Sequence, residues 1–224
     1  MSNGSKLSSD QLKFEDPWRV FRIMAEFVSG FDQFAEIKQG VTMFGSARTK
    51  ENDPMYQKAV KTAQLFVNEG YAVITGGGPG IMEAGNRGAT EMNGGSVGLN
   101  IDLPFEQKPN PYIKTLVNFH YFFSRKVMFL KYARAFVVFP GGFGTLDEFF
   151  ECITLIQTRR MDRCPVVLVG KEFWDGLIEW LREKLLGGGK IAAEDLDLFS
   201  VVDEPEEAIA IVKNFYKDQS GCEL

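Results

Sequence analysis

The sequence predicts an α/β fold, with a doubly wound, Rossmann-like parallel sheet. From residue 41 onwards, short apolar runs alternate with segments of helical periodicity, and the runs are apolar throughout rather than at every second position. Strands of that kind are covered on both faces, as in a parallel sheet between two helix layers. The chain has 224 residues, of which 45% are hydrophobic and 25% charged, so it has the composition of one ordinary globular domain.

The predicted elements follow one another without an internal repeat or a long linker. Residues 15–38 are predicted to form an amphipathic helix outside the main repeat, because apolar residues recur there at helical spacing: Phe21, Met24, Ala25, Val28, Phe31 and Ala35. Strands are predicted at 41–45, 71–75, 96–101, 115–122, 135–139, 165–170 and 199–202. Helices are predicted at about 54–69, 80–93, 124–134, 145–158, 173–185 and 204–216. We therefore predict an N-terminal extension (1–40), a Rossmann-like domain (41–217) and a short tail (218–224).

Charge and segment length exclude several classes of function. With 25 basic and 30 acidic residues the formal charge is −5, so we expect no nucleic-acid partner, which would need a cationic surface. Apolar runs such as 135–139 are far shorter than the roughly 20 residues that cross a bilayer. The first 17 residues are polar and lack the apolar core of a secretory signal. We expect no membrane association and a cytoplasmic location.

Cysteine and histidine are too few for most metal and triad chemistry. Cys152, Cys164 and Cys222 form no CxxC pair, which argues against a disulfide framework or a zinc site; we expect reduced thiols, with the first two packed in the core. A multi-histidine metal centre is excluded because His120 is the single histidine, and its aromatic neighbours favour a structural role. We expect no metal and no cofactor, so the chemistry must rest on carboxylates, arginine, lysine and backbone amides.

The first glycine loop, residues 75–89 (TGGGPGIMEAGNRGA), directly follows a predicted strand. Glycines let a ligand approach the backbone, and the N–H groups that open the next helix can bind an anion such as phosphate. The spacing fits neither the GxGxxG dinucleotide motif nor the GxxxxGK[ST] motif. A tight turn that binds nothing is the alternative interpretation.

The second glycine loop, residues 140–148 (PGGFGTLDE), follows the predicted strand 135–139. Its three glycines allow the backbone to curl, and Thr145 is predicted to cap the following helix and to donate its hydroxyl to a phosphate. Glu148 lies three residues further on, about 4.5 Å along the helix axis, where a carboxylate could reach the sugar of a bound nucleotide. The alternative is a capping box formed by Thr145 and Glu148.

Arg125 and Lys126 open the predicted helix 124–134, where the helix dipole disfavours positive charge. A local rule broken in this way often marks a functional site. Arg125 could hold a phosphate or polarise a leaving group. A solvated surface arginine is the alternative.

These motifs together resemble one family. PGGFGTLDE fits the signature PGGxGTxxE, and with GGGPGIMEA upstream and the Arg125–Lys126 pair between them the chain is similar to the Lonely Guy nucleoside 5′-monophosphate phosphoribohydrolases, often mislabelled lysine decarboxylases. The resemblance covers the chain from about Val41 to the last helix. It implies a Rossmann-like fold, a homodimer or larger homo-oligomer, and cleavage of the bond between an adenine-type base and ribose 5-phosphate, with AMP as an example of the substrate.

The resemblance also implies roles for individual residues. Arg125 and Glu148 would be catalytic. The substrate-binding residues would be Ser46, Gly77, Gly78, Glu106, Lys126, Gly141, Gly142, Gly144, Thr145 and Thr154. The segment LPFEQKPNPY around Glu106 departs from the shorter plant-type pattern, which leaves the preferred base open.

Two other functions compete with hydrolysis. A non-catalytic nucleotide sensor or carrier would use the same anion-binding loops. A literal decarboxylase would need a lysine to hold pyridoxal phosphate, and Lys126 is the lysine that lies near the glycine loops.

Overall fold

A computed structural model describes residues 9–35, 37, 39–102 and 108–220, with the backbone alone for 9–17 and 218–220. This part of the chain contains seven strands: β1 (Gly40–Phe44), β2 (Ala72–Thr75), β3 (Ser96–Ile101), β4 (Thr115–Phe119), β5 (Ala133–Val138), β6 (Val166–Val169) and β7 (Ser200–Val202). They form one parallel sheet in the order β4-β3-β2-β1-β5-β6-β7. The predicted fold class is therefore confirmed.

The inner strands are largely buried because both faces of the sheet are covered, whereas the edge strand β4 is partly exposed. Every residue of β1, β3 and β6 is buried. The helices are α1 (Ser9–Gln33), α2 (Pro54–Asn68), α3 (Ile81–Glu91), α4 (Phe122–Lys131), α5 (Phe143–Gln157), α6 (Lys171–Trp180) and α7 (Pro205–Ser220). Helices α2, α3 and α7 pack on one face of the sheet, and α1, α4, α5 and α6 pack on the other.

The predicted helix and strand boundaries differ from the observed ones most clearly before α4. The predicted strand 115–122 ends at Phe119, and α4 begins at Phe122 rather than at residue 124. The reason is a contact from a distant part of the chain: the Glu26 carboxylate of α1 accepts the backbone N–H groups of His120 and Tyr121, which turns the chain into the helix. Helix α6 continues into a π-helical segment at Leu181–Leu186, and a 3₁₀ helix at Ala193–Leu198 was not predicted.

Helix α1 extends further towards the N-terminus than predicted, and its apolar stripe faces outwards. It spans Ser9–Gln33 rather than 15–38. The side chains of the predicted stripe are exposed at Phe21, Met24, Ala25, Val28, Phe31 and Ala35. The side of α1 that faces α4 carries Gly30 instead, and just beyond the helix Phe34 lies in the core.

Two further predictions concern cysteines and membrane segments. Cys152 and Cys164 are buried free thiols, as predicted, whereas Cys222 lies outside the described residues. Among the helices that the structure describes, none combines the length and the hydropathy needed to cross a membrane.

Candidate functional site

The two glycine loops meet next to β1, the strand at which the strand order of the sheet reverses. Strand β1 lies between β2 and β5, so the connections that leave these strands diverge, and ligands of such sheets bind at that point. Ser46 joins the two loops through its backbone. Its N–H donates to the Pro140 carbonyl at 3.0 Å, and its carbonyl accepts from the Ile81 N–H at 3.0 Å.

The close approach of Ser46 explains one glycine of the first glycine loop. Gly80 has a φ of +68°, and a Cβ atom at this position would overlap the Ser46 carbonyl oxygen. Only glycine combines this backbone angle with this approach.

A buried asparagine holds the rest of the first glycine loop in shape. The backbone N–H of Asn110 donates to the Gly77 carbonyl at 2.9 Å, and its Nδ2 donates to the Gly78 carbonyl at 3.0 Å. The Gly77 N–H donates to Thr75 Oγ1 at 3.0 Å. Gly77 has a φ of +74°, so this turn also needs glycine.

The same network continues into α3 through Asn86. Its Oδ1 accepts from Thr75 Oγ1 at 2.6 Å and from Asn110 Nδ2 at 2.9 Å, and its Nδ2 donates to Ser96 Oγ at 3.0 Å. All four side chains are buried. The sequence analysis missed this network, although an asparagine on the buried face of a helix of small residues is a signal that could have revealed it.

The second glycine loop enters α5 earlier than predicted. Helix α5 begins at Phe143 with Gly142 as its N-cap, so Thr145 is the third helical residue and both the predicted cap and the capping-box alternative are wrong. Gly142 takes the extended conformation of a cap, which moves the helix start two residues upstream. The Thr145 side chain instead packs on Gly141, where a Cβ atom would overlap Thr145 Oγ1.

The remaining glycines of this loop leave open space. A Cβ atom on Gly142 or Gly144 would meet no protein atom within 4 Å. The first N–H groups of a helix lack partners inside the helix and attract anions. The start of α5 therefore offers backbone donors beside room for a phosphate.

Glu148 lies in α5, three residues after Thr145, and is 6% exposed. Burial raises its pKa to about 7, although the positive charges of Lys126 and Arg125 act in the opposite direction. Its Oε2 atom has no hydrogen-bond partner among the described residues. A buried carboxyl group that can gain or lose a proton near neutral pH is suited to acid–base or charge-stabilising chemistry.

Arg125 lies between the first glycine loop and Glu148. Its Nη1 is 3.8 Å from the position that a Cβ atom on Gly76 would take, and its guanidinium lies over the rings of Phe122 and Phe129 at 5.0 and 5.4 Å. Burial lowers the pKa of Arg125, and the nearby charge of Glu148 partly opposes that effect. Its Nε has no hydrogen-bond partner in the described part of the chain.

Lys126 pairs with carboxylates beside Glu148. Its Nζ lies 2.8 Å from Asp147 Oδ2 and 3.1 Å from Glu151 Oε2. Burial disfavours the charged ammonium, but the hydrogen bond to Asp147 and the neighbouring carboxylates outweigh it and raise the pKa of Lys126. The cation is thus fixed next to the buried carboxyl group.

The structure brings most of the predicted residues to these connected loops and helix starts: Ser46, Gly77, Gly78, Arg125, Lys126, Gly141, Gly142, Gly144, Thr145 and Glu148. Thr154 lies apart, about 9 Å along α5 from Glu148, and its exposed hydroxyl donates to the Phe150 carbonyl at 2.7 Å. Glu106 lies outside the described residues. The roles of these last two residues stay predictions.

A separate groove of about 930 Å³ lies near the start of β5 and the loop before β6. Exposed cations line it, among them Lys131, Arg134, Arg159, Arg160 and Arg163. It contains none of the predicted site residues.

A family model with the description "Possible lysine decarboxylase" matches residues 82–212, which are more than half of the chain. That match includes Arg125, Glu148 and the second glycine loop. The chain belongs to this family. It is the Lonely Guy family, which the sequence motifs had predicted.

Two curated relatives carry names that describe nucleotide chemistry. A Mycobacterium tuberculosis protein named "Cytokinin riboside 5'-monophosphate phosphoribohydrolase" is 28% identical over 158 residues, which are 69% of this chain and 83% of that protein. An Escherichia coli K12 protein named "Pyrimidine/purine nucleotide 5'-monophosphate nucleosidase" is 26% identical over 140 residues, 58% of this chain and 30% of that protein.

Among solved structures, the molybdenum cofactor carrier protein of Chlamydomonas reinhardtii is similar, with a TM-score of 0.57 and 22% identity. The match covers 80% of this chain and 99% of the carrier protein. At this level of identity the likeness supports the fold alone.

Proposed function

We propose that the protein hydrolyses the N-glycosidic bond of a nucleoside 5′-monophosphate with an adenine-type base, such as AMP, to free base and ribose 5-phosphate. One observation carries the proposal. Glu148 is a buried carboxyl group with a pKa raised to about 7, it lies one turn beyond the open glycine start of α5, and one of its oxygens has no hydrogen-bond partner within the described ranges. The names of the Mycobacterium and Escherichia relatives support nucleoside monophosphates as the substrate class.

In the proposed mechanism the second glycine loop binds the phosphate. The open space at Gly142 and Gly144 accepts the phosphate oxygens, with backbone N–H groups as donors. Binding energy from this remote group places C1′ of the sugar near Glu148. Ser46, Gly77 and Gly78 shape the wall of the same site.

The bond then breaks through an oxocarbenium-like sugar, by analogy with glycoside hydrolysis. The Glu148 carboxylate stabilises the developing positive charge and orients a water molecule, whose oxygen bonds to C1′. The electrons of the glycosidic bond leave with the base, which takes up the proton that the attacking water loses. Arg125 holds the nucleotide and supports departure of the base, and Lys126 keeps a positive charge close to the carboxylates.

A decarboxylase that uses pyridoxal phosphate does not fit these residues. A Schiff base needs a lysine amine that can lose its proton. Lys126 is instead paired with Asp147 and Glu151, and those contacts raise its pKa.

We also propose that the protein works as a homodimer that pairs through α1 and α4. Large apolar side chains are exposed on these two packed helices, namely Trp18, Phe21, Met24 and Val28 on α1 and Phe122, Phe123 and Val127 on α4. Arg125 lies on the same stretch of α4, so the second copy would border the candidate site. Sedimentation at several protein concentrations tests this pairing, and a monomer at all of them would contradict it.

The division at residues 41 and 218 and the cytoplasmic location stay predictions.

The test of function is to incubate the purified protein with AMP, GMP, CMP and an N6-modified AMP and to measure free base and ribose 5-phosphate. We expect release of the base, fastest from the adenine nucleotides. The Glu148→Gln variant should still bind AMP but lose turnover, whereas Glu179→Gln, on the exposed side of α6, should match the wild type. Tight binding without product would favour a sensor or carrier, and equal rates for wild type and Glu148→Gln would remove Glu148 from its role.

A further inference from the structure

We propose that Glu26, in the N-terminal helix α1, is a positioning residue for Arg125. Its two carboxylate oxygens accept the last backbone N–H groups before α4. Glu26 Oε1 lies 2.7 Å from the His120 nitrogen, and Oε2 lies 3.4 Å from the Tyr121 nitrogen. Tyr121 is the N-cap of α4, and no side-chain hydrogen bond of its own caps that helix. Glu26 therefore caps α4 from another element.

The electrostatics of α4 explain why this cap is needed. Its first turn contains no acidic residue, and Arg125 and Lys126 follow as its fourth and fifth residues. Positive charge near a helix N-terminus is destabilising, and a carboxylate at the same place is stabilising. Glu26 supplies the negative charge that the sequence of α4 lacks.

Further contacts keep α1 in place along the length of α4. Gly30 lies one turn after Glu26, and a Cβ atom on it would be 2.8 Å from the Met128 Cε atom, so the two helices approach closely there. Beyond the end of α1, the Phe34 ring lies 4.7 Å from the Tyr132 ring at the C-cap of α4. Helix α1 and the turn that follows it thus lie beside α4 from its start to its end.

The position of Arg125 depends directly on where α4 starts. Its backbone N–H donates to the Tyr121 carbonyl at 3.3 Å in the first turn of the helix. Its guanidinium lies over the Phe122 ring, and its Nε has no partner in the described residues that would hold it otherwise. If the cap is lost, the first turn of α4 loosens and Arg125 moves from its place beside the first glycine loop.

Kinetic measurements with AMP test the inference. This experiment rests on the proposed function, because it requires the protein to hydrolyse AMP. Because Arg125 holds the nucleotide and supports departure of the base, we expect Glu26→Ala to lower kcat/KM by about tenfold or more, with a higher KM and a lower kcat. Glu26→Gln keeps one acceptor oxygen and should recover part of this loss. Asp32→Ala, which removes an exposed carboxylate from the same helix, should match the wild type.

A double-mutant cycle separates positioning from a general loss of structure. In an Arg125→Ala background, Glu26→Ala should change kcat/KM by less than about twofold, since its effect passes through Arg125. An equal loss in both backgrounds would overturn the proposal.

Hydrogen exchange gives a readout that does not need activity. In Glu26→Ala the amides of residues 120–126 should exchange faster than in the wild type, while those of α5 should not change. If no nucleotide is hydrolysed, the proposed function fails, and exchange together with AMP binding by wild type, Glu26→Ala and Arg125→Ala still decides the role of Glu26. Unchanged exchange at 120–126 would overturn it.

Discussion

Replacing Glu148 by glutamine yields a prediction about stability as a function of pH. Burial raises the pKa of this carboxyl from its ordinary 4.5 to about 7. Between these pH values the unfolded chain has lost a proton that the folded protein keeps, so wild-type stability falls as pH rises through this window. At about 1.4 kcal/mol for each pH unit, the full cost is about 3 kcal/mol, complete above pH 7 and absent well below pH 4.5.

Glutamine has no proton to lose, so the variant escapes this cost. We expect the free energy of unfolding of Glu148→Gln, relative to that of the wild type, to rise by about 2–3 kcal/mol between pH 5 and pH 9. Urea unfolding followed by tryptophan fluorescence measures it, since Trp174 is fully buried. The matched variant Glu179→Gln changes an exposed glutamate, and its difference from the wild type should not vary in this way.

The trend across pH is the decisive quantity, because any loss of packing from the substitution is the same at each pH. A difference that stays constant would mean that Glu148 ionises near its ordinary pKa in the folded protein. Glu148 would then not gain or lose a proton near neutral pH, and the raised pKa on which the proposed function rests would be wrong.

Three further predictions concern the glycine loops. Gly144→Ala should leave thermal unfolding unchanged or slightly raised but weaken AMP binding in calorimetry by about tenfold or more, because its Cβ enters the open space; equal affinity would move the phosphate elsewhere. Gly80→Ala should cost about 2 kcal/mol or more in unfolding free energy, since φ is +68° and Ser46 blocks the Cβ, whereas Gly176→Ala in helix α6 should gain up to about 1 kcal/mol; equal effects would contradict the strain. Asn86→Ala should cost about 2–3 kcal/mol in urea unfolding, because its buried partners lose their hydrogen bonds, and the exposed Asn214→Ala serves as its control.

The strands of the sheet could be predicted from the sequence, because a buried strand has a recognisable local pattern of apolar residues. Runs such as 135–139 are apolar at every position, which identifies strands covered on both faces. The second glycine loop likewise predicted that Glu148 follows the end of a strand, and Arg125 was singled out by its charge at a helix start and by the resemblance to the Lonely Guy family. Strands and glycine loops are encoded by residues that are close together in the sequence, so a sequence pattern can reveal them.

Features that depend on distant residues could not be predicted. The start of α4 depends on Glu26, which lies 94 residues before His120. Thr145 was predicted as a cap because threonine is a good N-cap residue, but Gly142 takes that place and Thr145 packs on Gly141. Periodicity identified the apolar stripe of α1, yet it cannot tell whether the protein's own core or a second chain covers such a stripe.

The central place of β1 has a consequence for the order of events in folding. Ser46, which directly follows the loop residue Gly45 after this strand, bonds to the Pro140 carbonyl and to the Ile81 N–H. Strands β1 to β4 all lie in the first half of the chain. The second glycine loop, which follows β5, reaches the site only after β5, about 90 residues downstream of β1, has paired with the other edge of β1. Contacts of such long separation are slow to form. During refolding, secondary structure should therefore appear first, and nucleotide affinity should be the last property that the chain acquires.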